Sequence, residues 1–155
     1  EVSNNKISFL RFDIPSTITD DSHKIYLNLV VDGESTLDGG ISIQEYGQTG
    51  WGESPNNKNI GIIDHSLGAT LATLTPLDNG TIVWDNGTAV SLDNGTILSV
   101  DLTDKITSYG EEYSIAIRAL GTTDKVTFFS KEKQLTDGVG GFAPQMSVWP
   151  NISFK

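Results

Sequence analysis

The stretch LDNGTIVWDNGTAVSLDNGTILSV, running from Leu77 to Val100, decides the fold. Within it the triplet Asp-Asn-Gly recurs at Asp78, Asp85 and Asp93, and each copy is followed by a short run of Thr, Ile, Val, Leu or Trp. Such residues suit a pleated, half-buried surface. Asn-Gly readily supplies the two positive φ angles of a type I′ hairpin turn. The triplets therefore predict a meander of short antiparallel strands between about residue 70 and residue 101. Their close spacing is a local echo, too short for a solenoid repeat.

Working outward, the dominant period is two. In Lys6–Ile14 (KISFLRFDI), Leu10, Phe12 and Ile14 fall on one face and Phe9, Arg11 and Asp13 on the other, the mark of a half-buried strand. Lys24–Val31 (KIYLNLVV) sets Ile25, Leu27, Leu29 and Val31 together and ends on the turn pair Asp32-Gly33. Further strand-like runs are Ile41–Tyr46, Ala69–Leu74, Thr81–Trp84, Thr88–Leu92, Ile97–Asp101, Tyr113–Leu120, Lys125–Lys131 and Gln145–Trp149. At most one short helix, of one or two turns, is allowed, at Asp101–Ser108, capped by Asp101 or Thr103, with Leu102 and Ile106 four apart. Gly47–Asn59 and Gln134–Pro144 are Gly-rich and polar and read as surface loops. The expected fold is an all-β, antiparallel, jelly-roll-like sandwich forming a single domain over residues 1–155.

Composition limits the function. The chain has 155 residues, 37% of them hydrophobic, enough for a self-sufficient core. It has no Cys, which excludes disulfides, thiolate metal sites and a cysteine nucleophile. Twenty acidic against ten basic side chains give a net charge of -10, which repels phosphate backbones and anionic lipid. Neither nucleic acid nor membrane insertion is expected, and no run reaches the roughly 20 apolar residues of a membrane span. The acidic surface fits an extracellular or cell-surface protein.

The order of segments resembles the disaggregatase-related, DNRLRE-type secreted domains, which include family 96 of the carbohydrate-binding modules. The resemblance rests on FLRFDI at Phe9–Ile14, ITDDSHKIYLNLVV at Ile18–Val31, WGES at Trp51–Ser54, VDLTDKI at Val100–Ile106, YSIAIRAL at Tyr113–Leu120, VTFFSKE at Val126–Glu132 and PQMSV at Pro144–Val148. It implies a secreted β-sandwich with a glycan-binding or adhesive role. The chain departs from the pattern at Pro55-Asn56-Asn57-Lys58, where the family has a Thr-Trp-Asn pattern, and it begins almost at the strand that the family precedes with two others. A sandwich lacking those strands would expose an apolar groove or a naked edge. A strand donated by a neighbouring subunit would fill it.

Candidate site residues follow. Sugar rings dock their C–H faces on exposed aromatic planes, so Tyr46, Trp51, Trp84 and Trp149 are the candidate carbohydrate contacts, each with a competing claim from the core. The resemblance and the exposed turns together give two readings: a polysaccharide-binding or adhesion module, and a structural subunit of an extracellular filament completed by a donated strand. Asn79, Asn86, Asn94 and Asn151 each open an Asn-X-Ser/Thr glycosylation sequon. Glu132 is expected to pair structurally with Arg11 or Arg118 in a buried ion pair. No carboxylate pair is singled out for catalysis, and adjacent Asp64-His65-Ser66 point to opposite faces of an extended chain. No catalytic residue and no cofactor are assigned. His23 and His65 are the only histidines, so a His-rich metal site is not expected. Calcium has candidate oxygen ligands at Asp20-Asp21, at Asp32 with Glu34 and in the Asp-Asn-Gly turns, without a twelve-residue calcium loop.

Overall fold

The computed structural model describes residues 1–4, 6–14, 23–47, 67–106, 110–129 and 144–150, with backbone alone at residues 23 and 148–150. Its strands are β1 (Val2–Ser3), β2 (Ser8–Asp13), β3 (His23–Val30), β4 (Ile41–Tyr46), β5 (Leu67–Pro76), β6 (Ile82–Trp84), β7 (Ala89–Val90), β8 (Ile97–Asp101), β9 (Glu112–Ala119), β10 (Lys125–Val126) and β11 (Gln145–Pro150). A six-stranded sheet has the order β2-β9-β4-β5-β6-β7, a three-stranded sheet the order β11-β3-β8, and β1 pairs with β10. Every pairing between named strands is antiparallel. The protein is an antiparallel β-sandwich.

Alternation explains the two layers. On β3, Ile25, Leu27 and Leu29 are buried while Tyr26 and Asn28 are only partly covered, and Val31 continues the buried row. Beside them on β8, Leu98 and Val100 turn inward and Ile97, Ser99 and Asp101 outward. The larger sheet answers with Leu10 and Phe12 of β2, Ile41 and Ile43 of β4, Leu74 of β5, and Ile115 and Ile117 of β9, all in one apolar cluster. Fully burying each such side chain contributes roughly 1.5–3 kcal/mol. Central strand β9 buries Ser114 to Ile117 on both faces. On its reverse face Ala116 and Tyr46 gather Phe9 and Leu67 into a second, smaller cluster.

The turns differ from the expectation in two ways. First, Gly80 and Gly87 have φ of 86° and 88°, but no described non-Gly residue has positive φ. Asn79 and Asn86 therefore do not form type I′ turns. Instead Gly80 N–H donates to Leu77 O at 2.9 Å and Gly87 N–H to Trp84 O at 2.9 Å, a type I turn closed by a left-handed Gly. The cause is local: Asn79 Oδ1 accepts the Thr81 N–H at 3.0 Å and Asn86 Oδ1 the Thr88 N–H at 2.9 Å, which leaves the left-handed position to glycine alone.

Second, the third triplet is no hairpin between adjacent strands. It joins β7 of the six-stranded sheet to β8 of the three-stranded one. Gly95 N–H donates to Val31 O at 2.8 Å, and Asn94 Oδ1 accepts the Gly33 N–H at 2.9 Å. The meander thus ends at β7, and the chain crosses between layers at Asp93–Thr96.

The segment allowed as a short helix makes one turn among the described residues. Leu102 O accepts from Lys105 and Ile106 N–H, Asp101 Oδ1 caps the Thr103 N–H at 2.9 Å, and Leu102 and Ile106 both enter the core. Residues 107–109 lie outside the described set.

Candidate functional site

Of the four aromatic candidates, the two whose side chains are described, Tyr46 and Trp84, are buried. Tyr46 is 3% exposed, and its ring lies 5.0 Å from that of Phe9 at 60°. Trp84 is 6% exposed and belongs to the main core. Neither presents a ring face to a sugar, which corrects the expectation for both: each fills a layer whose alternation required a large apolar group there. Trp149 is placed by backbone, opposite Lys24 in the β11–β3 ladder. Trp51 lies outside the described residues, as do the expected loop cores at 48–59 and 134–143, Asp20, Asp21, Asp64, His65, Glu132 and Asn151.

Of the expected ion pair, Glu132 lies outside the described residues. Arg11 and Arg118 are exposed, and Arg11 Nε lies 3.9 Å from Glu112 Oε1, a residue two strand positions away on neighbouring β9. Both partners of that pair face solvent, where such a contact is worth little. On β2, Arg11 shares the face of Phe9 rather than that of Leu10, so the strand's own alternation carries it away from the core.

A polar site that sequence reading missed is centred on Asp124, which is 2% exposed. Its carboxylate accepts backbone N–H groups from Gly39 and Gly40 at 3.0 Å each, from Gly121 at 2.7 Å, and from Asp38. Hydrogen bonding to the Asp124 carboxyl and then to Thr123 holds the Asp38 carboxyl below the ordinary aspartate range. A buried carboxylate saturated with donors ties loop 38–40 to loop 121–124. The chemistry is that of a structural knot. The only signal in the chain was the pair of strings Asp38-Gly39-Gly40 and Gly121-Thr122-Thr123-Asp124, far apart in sequence.

Among the described residues no group of three or more His, Asp or Glu is placed to hold a metal ion. The calcium pair Asp32 and Glu34 flanks Gly33, where the backbone is engaged by Asn94.

Two concavities lie among the described residues. A hollow of about 570 Å³ lies between the turn at 33–36, the first Asp-Asn-Gly turn and the crossover, with Glu34, Ser35, Thr81, Ser91 and Asp93 on its walls and Ile82 and Leu92 on its floor. Ser35 Oγ is buried without a hydrogen-bond partner there. The second is an apolar groove of about 190 Å³ beside β2, formed by Phe9, Leu10, Leu29, Ile117, Phe128 and Phe129. Among the described residues β2 pairs with β9. Ile7, just before it, is 39% exposed.

Charge divides the molecule along the same axis. Lys6, Arg11, Arg118 and Lys125 lie in or beside β2, β9 and β10, with Glu1, Asp13, Glu111, Glu112 and Asp124 among them. Residues 59–104, which supply β5 to β8, contain six Asp and no Lys or Arg. The β2 end of the six-stranded sheet thus carries cations and carboxylates mixed, and the chain toward β7 carries carboxylates alone.

Comparison with protein-family models, with curated proteins and with solved structures finds no match for this chain.

Proposed function

We propose that the chain is a structural subunit of an extracellular filament or surface assembly, built by contact between copies. The observation that carries this reading is the apolar groove of about 190 Å³ formed by Phe9, Leu10, Leu29, Ile117, Phe128 and Phe129. A groove of this kind takes the apolar side chains of a partner. The occupant is the acidic β5–β7 end of the sheet on a second copy. Charge selects it: Lys6, Arg11 and Arg118 lie in or beside the strands that form the groove, whereas the stretch 59–104, which supplies β5 to β8, contains no cation. One end of the sheet receiving the other is a heterologous contact, which propagates as an open filament when the rotation does not close. No catalytic residue enters this reading.

Sedimentation velocity and electron microscopy of the protein, across a concentration series, test it. Polymers or oligomers are expected, together with their loss in Arg11→Glu at unchanged thermal stability. A monodisperse monomer at every concentration overturns the proposal.

A second reading, a polysaccharide-binding or adhesion module, is supported by the hollow of about 570 Å³. Its hydroxyl and carboxylate walls over an apolar floor match the alternating faces of a neutral sugar. Retention on polysaccharide in affinity electrophoresis, reduced by Asp93→Ala in the hollow or by Trp51→Ala, is the result this reading expects.

A further inference from the structure

We infer that Asn79 and Asn86 carry N-linked glycans and that Asn94, in the same four-residue string Asp-Asn-Gly-Thr, does not. The three sequons are chemically identical, so sequence alone ranks them equally. Their settings are not identical. All three asparagines are exposed. In the first two, the side-chain amide is engaged only locally by the turn's own backbone: Oδ1 takes the N–H of Thr81 or Thr88, two residues on, at 3.0 and 2.9 Å. That bond uses the oxygen and turns Nδ2, the atom that must react, away from the backbone. A methyl placed on Gly80 or Gly87 would meet nothing within 4 Å, so both turn tips are open to an approaching enzyme.

The third sequon is held differently. Asn94 Oδ1 is bound to Gly33 N–H, 61 residues away, and the next residue, Gly95, donates to Val31 O at 2.8 Å. These two bonds staple the crossover to the end of β3, and Asn94 lines the hollow rather than crowning a free hairpin. Presenting it to a transferase requires breaking both bonds and detaching the crossover from the core strand beside it.

The transfer is a substitution at carbon. Nδ2 attacks the anomeric carbon of a lipid-phosphate-linked oligosaccharide, the N–C bond forms as the C–O bond to phosphate breaks, and the lipid phosphate leaves with the bonding electrons. The amide proton goes to a base of the transferase, and nothing is oxidised or reduced. The consequence for this fold follows from sheet order. Asn79 and Asn86 lie in the turns at the two ends of β6, next to the outermost strand β7. Glycans there screen that edge of the six-stranded sheet.

The chain's own acids make the test direct. In protein purified from its native source, a protease cutting before Asp places each sequon on its own peptide: 78–84, 85–92 and 93–100. Fragmentation that preserves the sugar linkage then reads each site. Glycan is expected on 78–84 and 85–92, with 93–100 bare. A bare peptide at either of the first two, or occupancy of 93–100 equal to theirs, overturns the inference. Two variants expressed in the native host separate acceptor chemistry from folding. Thr81→Val keeps the backbone N–H that binds Asn79 but removes the hydroxyl the sequon requires, and is expected to abolish the adduct on 78–84, while Thr81→Ser retains it. An adduct that persists in Thr81→Val counts against the assignment.

Discussion

Tyr113 shows what one residue's setting does to its chemistry. Its hydroxyl donates to Glu45 Oε1 at 2.9 Å across β9 and β4. Burial, then that hydrogen bond and the negative charge of Glu45, push the phenol well above its ordinary range. The unfolded chain releases this proton near pH ~10, whereas the folded chain keeps it. The stabilisation from holding a neutral phenol is therefore complete below that pH and is lost as pH rises above it. Urea midpoints measured at about pH 8 and about pH 11 are expected to fall further in the native chain than in Tyr113→Phe. Equal falls would show that the phenol titrates normally in the fold. At this scale the sequence was only partly legible. Period two placed Ile25, Leu27 and Leu29 correctly, because alternation is a property of the strand itself. It could not tell a glycan platform from a core filler at Tyr46 and Trp84, because both uses demand a large ring and the choice depends on what packs over it.

At the scale of elements, the crossing of loops 38–40 and 121–124 ties the start of β4 to the end of β9. A Cβ on Gly39 would stand 2.6 Å from Gly121 Cα and N, backbone against backbone, while a Cβ on Gly47 would meet nothing within 4 Å. No flexible side chain can yield at the first position. Gly39→Ala is expected to cost roughly 1–3 kcal/mol by overpacking, whereas Gly47→Ala stays within about 0.5 kcal/mol. Denaturant unfolding of the two variants checks this, and similar stabilities would mean the crossing is looser than its geometry. This element was illegible in the chain because its donors and its acceptor Asp124 are 84 to 86 residues apart. Local turn chemistry was more readable, yet incompletely. Asp-Asn-Gly announced turns at all three places, but whether a turn closes a hairpin or carries the chain to the other sheet depends on which strand follows, and β8 pairs with distant β3.

Across the whole molecule, the distribution of charge bears on how copies would meet. With a net charge of -10, two copies repel each other at long range unless a cation-bearing end is turned toward an acidic one. The β2 end of the sheet carries such cations, and the groove beside it is apolar. Two kinds of force would then act at different stages: charge steers the approach, and burial of apolar side chains in the groove holds the product. Salt separates them, because screening at about 0.15 M ionic strength already acts over ~8 Å while leaving apolar contact intact. The association rate followed by light scattering is therefore expected to fall steeply as salt is raised from about 0.05 M to about 0.5 M. The dissociation rate after dilution should change little over the same range. Arg11→Glu should reproduce the high-salt association rate at low salt, since its removal deletes the steering charge from the β2 end without touching Leu10 or Phe12 beneath it. An association rate indifferent to salt would mean that the acidic stretch is not what the β2 end receives, even if copies still assemble.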